Sequence, residues 1–420
     1  MRHLLARALL AFAVFAALPV AAQPAPAPSK DSWAARRDRL REQIGGGIGL
    51  VPAAEAAPKG VAFRQDNDFW YLTGLDWPGA VLALTAEGAW LFTAEADRTA
   101  PEGFVGVLPL SSLDVAIGRY AADGLWLHAG QEEYYSTPIV PGEIREFGDP
   151  FARSTARAKW ADGIAARFKE GRRKSLHHRV ARLRLVKDEG EIAILRRGVE
   201  VTGKSLMDAI GGVKPGMKER EFQRALEQGY VDRGAGWLAF PTIVGSGANG
   251  TMVHYTANSG ALGRNELVVV DTGAEVEMYA CDVTRTFPVT GAFTKRQREV
   301  YQAVLDAQRA AIRAAKPGVT MMDLDRIAKD VLADRGFRDR MPHWTCHWVG
   351  LGVHDAGEYL TRLEPGMVIT VEPGVYIPEE AIGVRIEDLL LITEGEPEIL
   401  SEFVPVEAEE IEKLVGSRRK

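Results

Sequence analysis

The second half of this chain repeats itself at a spacing of about 100 residues, and no other feature constrains its fold as tightly. VKPGMKEREF at Val213 to Phe222 and AKPGVTMMDL at Ala315 to Leu324 each follow a helical segment, with Lys214 and Lys316 offset by 102. Downstream, VHYTANSGALGRNELVVVDTG aligns with VHDAGEYLTRLEPGMVITVEPG, pairing His254 with His354 and Asp271 with Glu372. Asp282 and Glu387 then fall in YACDVTRTF and GVRIEDLLL, both of which read as the return strand of a hairpin. Two similar halves packed about a pseudo-two-fold axis bring each matched strand pair to one central place, where the matched acids converge.

The chain has 420 residues, more than one ordinary core requires, so two folded domains are expected. The first 22 residues carry two arginines, a 13-residue apolar run from Ala8 to Val20, then Ala21 and Ala22. That is the pattern of a secretory signal, too short for the roughly 20 residues that span a bilayer. Residues 1–22 are therefore assigned to a signal peptide and 23–30 to a Pro/Ala linker, which predicts an exported protein, periplasmic or secreted, with no membrane partner after cleavage. An α/β domain follows over 31–174, opening with a helix at DSWAARRDRLREQI and including two strands in VLALTAEGAWLFTA. The duplicated α+β domain occupies 175–420. Early in it Asp188 and Glu191 stand at capping-box spacing, ahead of a helix with Ile192, Leu195 and Val199 on one face.

Composition removes several function classes. The net charge is −6, from 51 basic against 57 acidic residues, and no basic run is interleaved with aromatics, so nucleic acid is not an expected partner. Two cysteines, Cys281 and Cys346, cannot form a disulfide framework, although one bridge between them stays open.

The chemistry rests on the paired acids. LVVVD and MVITVE each end an apolar strand in a carboxylate, and burial there demands a compensating charge. Any one of Asp271, Asp282, Glu372 and Glu387 could be a solvated strand end; the four together point to a shared divalent cation. His254, His343, His347 and His354 are half of the eight histidines, and three of them fall within CHWVGLGVHD and the residues just before it. His347 supplies a possible nitrogen ligand and His354 a group for acid/base work. Four carboxylates and one imidazole form a mostly hard-oxygen set, suited to manganese or cobalt, with zinc also possible. Two ions about 3.5 to 4 Å apart could activate a water and polarise a carbonyl together.

The blocks FPTIVGSGANGTMVHYT, VVVDTGAEVEMYACDVTRTFPVTGAFT, CHWVGLGVHD, VEPGVYIP and GVRIEDLLLIT resemble, in order, the motifs of the pita-bread metallopeptidases, and among them the Xaa-Pro aminopeptidases. FRQDNDFWYLTG at Phe63 to Gly74 resembles a signature of that family's N-terminal domain, so the likeness reaches both domains. The resemblance implies a pita-bread catalytic domain that removes an N-terminal residue preceding proline. It implies that Asp271 binds one metal, that His347 and Glu372 bind the other, that Asp282 and Glu387 bridge them, and that a bridging hydroxide is the nucleophile. It also implies that His254 and His354 contact substrate and stabilise the tetrahedral intermediate, that His343 lines the proline-side pocket, and that Arg385 sits behind the ligands. A homodimer or homotetramer is expected on the same basis.

Departures from the family pattern lie near the substrate entrance. ADRTAPEGFVG is short where the family has a longer segment, and VYIPEEAIGVRIED is a short connection. Both bear on peptide length and subunit packing. The alternatives are an Xaa-Pro dipeptidase, a catalytically inactive peptide-binding module, and a metal-free amidinohydrolase resembling creatinase. Intact ligand positions argue against the last two.

Overall fold

The computed structural model describes residues 30–60, 62–95, 97–128, 156–168 and 173–418; the expected signal peptide at 1–22 and the linker up to residue 29 lie outside the described residues. Near the N-terminus the helix Lys30–Ile44 covers one face of a six-stranded sheet. In spatial order the strands are Gly106–Pro109, Gly88–Thr93, Val81–Thr85, Ile48–Pro52, Leu125–Leu127 and Arg173–Ser175. The two strands expected in VLALTAEGAWLFTA form a tight hairpin with Thr85 opposite Gly88. The last strand of this sheet ends at Ser175, where the second domain is expected to begin.

The C-terminal half has the duplicated, pseudo-two-fold α+β arrangement of the pita-bread fold. Its first repeat pairs the helices Glu189–Gly212 and Glu219–Asp232 with a sheet ordered Val283–Pro288, Leu267–Thr272, Ile243–Ser246. The second pairs Lys295–Ala314 and Met321–Asp334 with a sheet ordered Val368–Val371, Asp388–Leu391, Glu398–Ile399. The KPG turns show the repeat at atomic detail. Gly216 and Gly318 both take a left-handed backbone, φ +86° and +91°, where a side chain would be strained. Each donates its N–H to the matching leucine carbonyl, Leu262 or Leu363, at 2.8 Å in both repeats.

The helix capping box expected at Asp188 and Glu191 is present, with both reciprocal bonds. It also docks the first helix: Arg36, fully buried, reaches Asp188 at 2.6 Å and Glu191 at 2.9 Å. A single apolar cluster runs from Leu40 and Trp70 in the N-terminal part to Tyr279 and Leu390 in the repeats, so the two parts share a core.

The two repeats are locked together by Arg285. Its guanidinium is buried and donates to the carbonyls of Thr284, Glu387, Val404 and Pro405 and to Asp388 Oδ1. Arg285→Met fills the volume but leaves the buried Asp388 carboxylate with only the neutral donors Gln308 and Ser401 and no counter-charge, and the expected loss of stability is about 3–5 kcal/mol, read by denaturant unfolding. An unfolding free energy within about 1 kcal/mol of wild type would show that the bonds to Arg285 are replaceable.

Candidate active site

The hairpins bring the matched acids to one place. Asp271 lies within the strand Leu267–Thr272 and Asp282 one residue before the return strand Val283–Pro288, while Glu372 follows Val368–Val371 and Glu387 precedes Asp388–Leu391. The backbone of Glu387 crosses to the other repeat, its N–H donating to Thr284 O at 3.1 Å. Thr286 and Arg385 make a second reciprocal link, at 2.9 and 3.0 Å.

Ligand atoms of Asp282, His347 and Glu387 all lie within 4.8 Å of one another, and all three residues are buried. His347 Nε2 stands 3.5 Å from Asp282 Oδ2 and 3.4 Å from Glu372 Oε1. The other ring nitrogen of His347 lies 3.1 Å from the Trp348 carbonyl. A carbonyl can only accept, so Nδ1 carries the proton and the Nε2 lone pair faces the acids. Burial and the neighbouring His354 hold the His347 pKa well below its ordinary value, which keeps that lone pair available. Asp271 is tied on one side by Arg385 Nη2 at 2.6 Å, and Glu387 Oε2 accepts from the Thr284 hydroxyl at 2.7 Å.

Three carboxylate oxygens, Asp271 Oδ1, Asp282 Oδ1 and Glu387 Oε1, are buried without a hydrogen-bond partner among the described residues. Unpaired buried acceptors are costly, and a cation is the group that satisfies several at once. Burial raises the pKa of Asp282 and of Glu372 well above the ordinary range, with the Glu387 charge as the next cause in each. Glu387 itself is pushed up to about 8 by burial and then by Asp271. The donor set therefore fits divalent metal: converging carboxylates, one neutral imidazole, and free lone pairs.

The pH dependence of the metal-stripped protein follows from these shifts. A carboxyl whose pKa is higher in the folded state binds more protons there than in the unfolded chain, so its contribution is complete below the unfolded value, about 4.5, and lost as pH rises toward 8. The metal-stripped protein should lose about 2–5 kcal/mol over that interval relative to the loaded protein. Thermal scans of both forms across pH measure it, and parallel curves would refute the repulsion between the acids.

The remaining residues expected at the site fall into two groups. Arg385 is buried behind Asp271 and also donates to Tyr376 Oη at 2.6 Å. Tyr376 Oη in turn lies 2.9 Å from His343 Nε2, and His343 Nδ1 lies 2.9 Å from the Trp344 carbonyl. With a neutral ring whose Nδ1–H donates to the Trp344 carbonyl, Tyr376 accepts from Arg385 and donates to His343 Nε2. Burial and the Arg385 charge push the His343 pKa down to about 3, consistent with a neutral ring. His354 and His254 are exposed at the edge of the site; the His354 ring centroid lies 4.3 Å from that of His347, and Val253, next to His254, offers its carbonyl to Arg385 at 3.5 Å. Sequence reasoning missed Tyr376, although it lies within the block VEPGVYIP, and missed Thr370, whose hydroxyl accepts from the His347 N–H at 3.0 Å. Cys281 and Cys346, left open as a pair, are both buried free thiols.

Comparison with known proteins agrees with this geometry. Residues 193–394 match the model of metallopeptidase family M24, and residues 33–102 match that of the aminopeptidase P N-terminal domain. The Xaa-Pro aminopeptidase of Escherichia coli K12 is 34% identical over 93% of this chain and 99% of its own length. An Xaa-Pro dipeptidase of Pyrococcus horikoshii is 42% identical, but over 51% of this chain and 61% of its own. The solved structure of zinc-substituted E. coli aminopeptidase P in complex with product superposes with a TM-score of 0.79 at 30% identity, covering 94% of this chain and all of that one. A buried cluster of acids with one imidazole, both family models and near full-length similarity lead to one conclusion: the chain belongs to the aminopeptidase P branch of metallopeptidase family M24.

Proposed function

We propose that this metallo-aminopeptidase releases the N-terminal residue from peptides with proline in the second position, using two divalent ions, manganese foremost. The observation that carries the metal reading is the set of partnerless carboxylate oxygens on Asp271, Asp282 and Glu387, with ligand atoms of Asp282 and Glu387 within 4.8 Å of those of His347 and the Glu372 carboxylate 3.4 Å from His347 Nε2. Asp271, Asp282, His347, Glu372 and Glu387 would hold the ions, which when bound supply an activated water and polarise the scissile carbonyl.

The chain's own residues supply the rest. Arg385 holds Asp271 in place and Thr284 holds Glu387, so neither carboxylate needs to reorganise when substrate arrives. His254 and His354, exposed at the rim, are placed to donate hydrogen bonds to the peptide and to charge developing on its carbonyl oxygen. His343, kept neutral by burial and the Arg385 charge and bonded to Tyr376, offers an uncharged ring surface suited to a proline ring. A proline there has no N–H to be recognised, so shape must do the selecting. The dipeptidase reading has less support, because the N-terminal part matches the aminopeptidase P domain and the dipeptidase relative covers only about half of this chain.

Export to the periplasm or beyond belongs to the same proposal and rests on the composition of residues 1–22. Among the described residues no helix is long and apolar enough to cross a membrane. A homodimer or homotetramer is proposed for solution, to be read by light scattering.

The test is a mass-spectrometric time course of metal-stripped and manganese-reconstituted protein on Xaa-Pro dipeptides, longer Xaa-Pro peptides and Xaa-Ala controls. Manganese-dependent loss of one residue from the longer Xaa-Pro peptides is expected. Cleavage of dipeptides alone would give the dipeptidase, and cleavage of nothing with any divalent metal the inactive binding module.

A further inference from the structure

His354 stands on a bend with its side chain exposed and its ring edge-on to His347 at 4.3 Å between centroids, so where the backbone of the bend is held decides where the imidazole sits. Those anchors converge on Asp355. Its N–H donates to Trp348 O at 2.9 Å, and its Oδ1 accepts from the Gly352 N–H at 3.2 Å. A Cβ on Gly350 would collide with the same carboxylate, so the seat is tight. Arg184 Nη2 donates to Asp355 Oδ1, and Lys187 Nζ lies 3.7 Å from Oδ2.

This seat is wired to the N-terminal part of the chain. Arg184 belongs to the helix His177–Leu185, and its Nη1 donates to Asp68 Oδ1 at 2.7 Å. Asp68 Oδ2 lies 2.8 Å from His128 Nε2. The side chains of Asp68, Arg184 and Asp355 are 4%, 1% and 1% exposed, so the chain of charges is sealed from water. A second tether comes from the same region: Arg64 donates to Leu351 O at 3.2 Å while bonded to Glu275 at 2.9 Å. Apolar residues could join the two parts at least as stably as a buried charge network does, so holding the parts together does not by itself account for one that ends beside His354.

We propose, resting on the reading of His354 as a group that contacts substrate, that Asp68 and Arg184 are positioning residues for His354, acting through Asp355, with Asp68 reaching in from outside the duplicated domain. Arg64 holds the other end of the same bend. The N-terminal part thereby sets turnover.

The test is a double-mutant cycle on the metal-loaded enzyme with a long Xaa-Pro peptide: Asp68→Asn, His354→Ala and the pair. Asp68→Asn is expected to lower kcat about tenfold with full metal content and KM within about twofold, because it misplaces a group without removing it. In the His354→Ala background the same substitution is expected to cost nothing further, a pattern that loss of global packing would not give. Equal losses in both backgrounds, or an unchanged kcat for Asp68→Asn alone, overturn the proposal. If His354→Ala itself leaves kcat unchanged, the reading of His354 fails, and the proposal with it. Should Asp68→Asn not fold, Arg64→Gln, at a partly exposed position, is put through the same cycle: a loss that vanishes in the His354→Ala background supports the proposal, and equal losses or none overturn it.

Discussion

Glu387→Ala protein is expected to cleave Xaa-Pro peptides more than about a thousandfold more slowly than wild type and to copurify with less metal. The substitution keeps the backbone joint between the repeats and removes one side-chain bond across it, from the Thr284 hydroxyl. The Glu387 backbone donates to Thr284 and accepts from Arg285, and neither bond involves the side chain. The loss is therefore confined to the carboxylate that is grouped with Asp282 and His347. Removing it also relieves the repulsion that, after burial, raises the Asp282 and Glu372 pKa values. The metal-stripped variant should consequently be at least as stable as metal-stripped wild type above about pH 7, while the loaded variant gains less from added manganese. Steady-state rates, metal analysis and thermal scans with and without manganese measure the three effects. Wild-type turnover at full metal content would remove Glu387 from the site.

The repeat was legible because the positions that betray it cannot drift. Gly216 and Gly318 adopt a backbone that other residues resist, and the four acids stand where strands meet a shared centre. Tyr376 escaped notice for the opposite reason. A tyrosine on a buried strand looks like core, and only its place between Arg385 and His343 in space marks it as polar machinery. Thr284, Thr286 and Thr370 are similarly disguised, since threonine is an ordinary strand residue by propensity. The helix Glu189–Gly212 shows how periodicity blurs. Leu195 and Val199 are buried as expected but Ile192 only partly, while Glu191, Ile194, Gly198 and Thr202 are buried too, because the helix packs against Glu219–Asp232 and also against the strands Ala274–Val276 and Tyr279–Ala280. Links such as Arg36 to Asp188 or Arg184 to Asp355 join residues more than 150 positions apart, beyond the reach of any local pattern.

His354→Ala is expected to keep both the fold and the bound metal and to slow turnover about a hundredfold or more. The two halves of that expectation have separate physical grounds. His354 is exposed, whereas Asp271, Asp282, His347 and Glu387 are buried, so on the proposed ligand set its removal takes no donor from the cation. It does stand against His347, at 4.3 Å between ring centroids, so on the proposed reading it would be close enough to the metal ligands to reach a carbonyl bound there. A donor at that place stabilises charge that exists only during the reaction, so kcat should fall while KM changes little. Loss of metal from His354→Ala would instead make His354 a ligand, and a rise in KM at unchanged kcat would make it a grip on the ground-state peptide. His254→Ala, its counterpart in the other repeat, completes the comparison: if the pseudo-symmetric histidines have divided the substrate between them, the two variants will differ in how their losses split between kcat and KM.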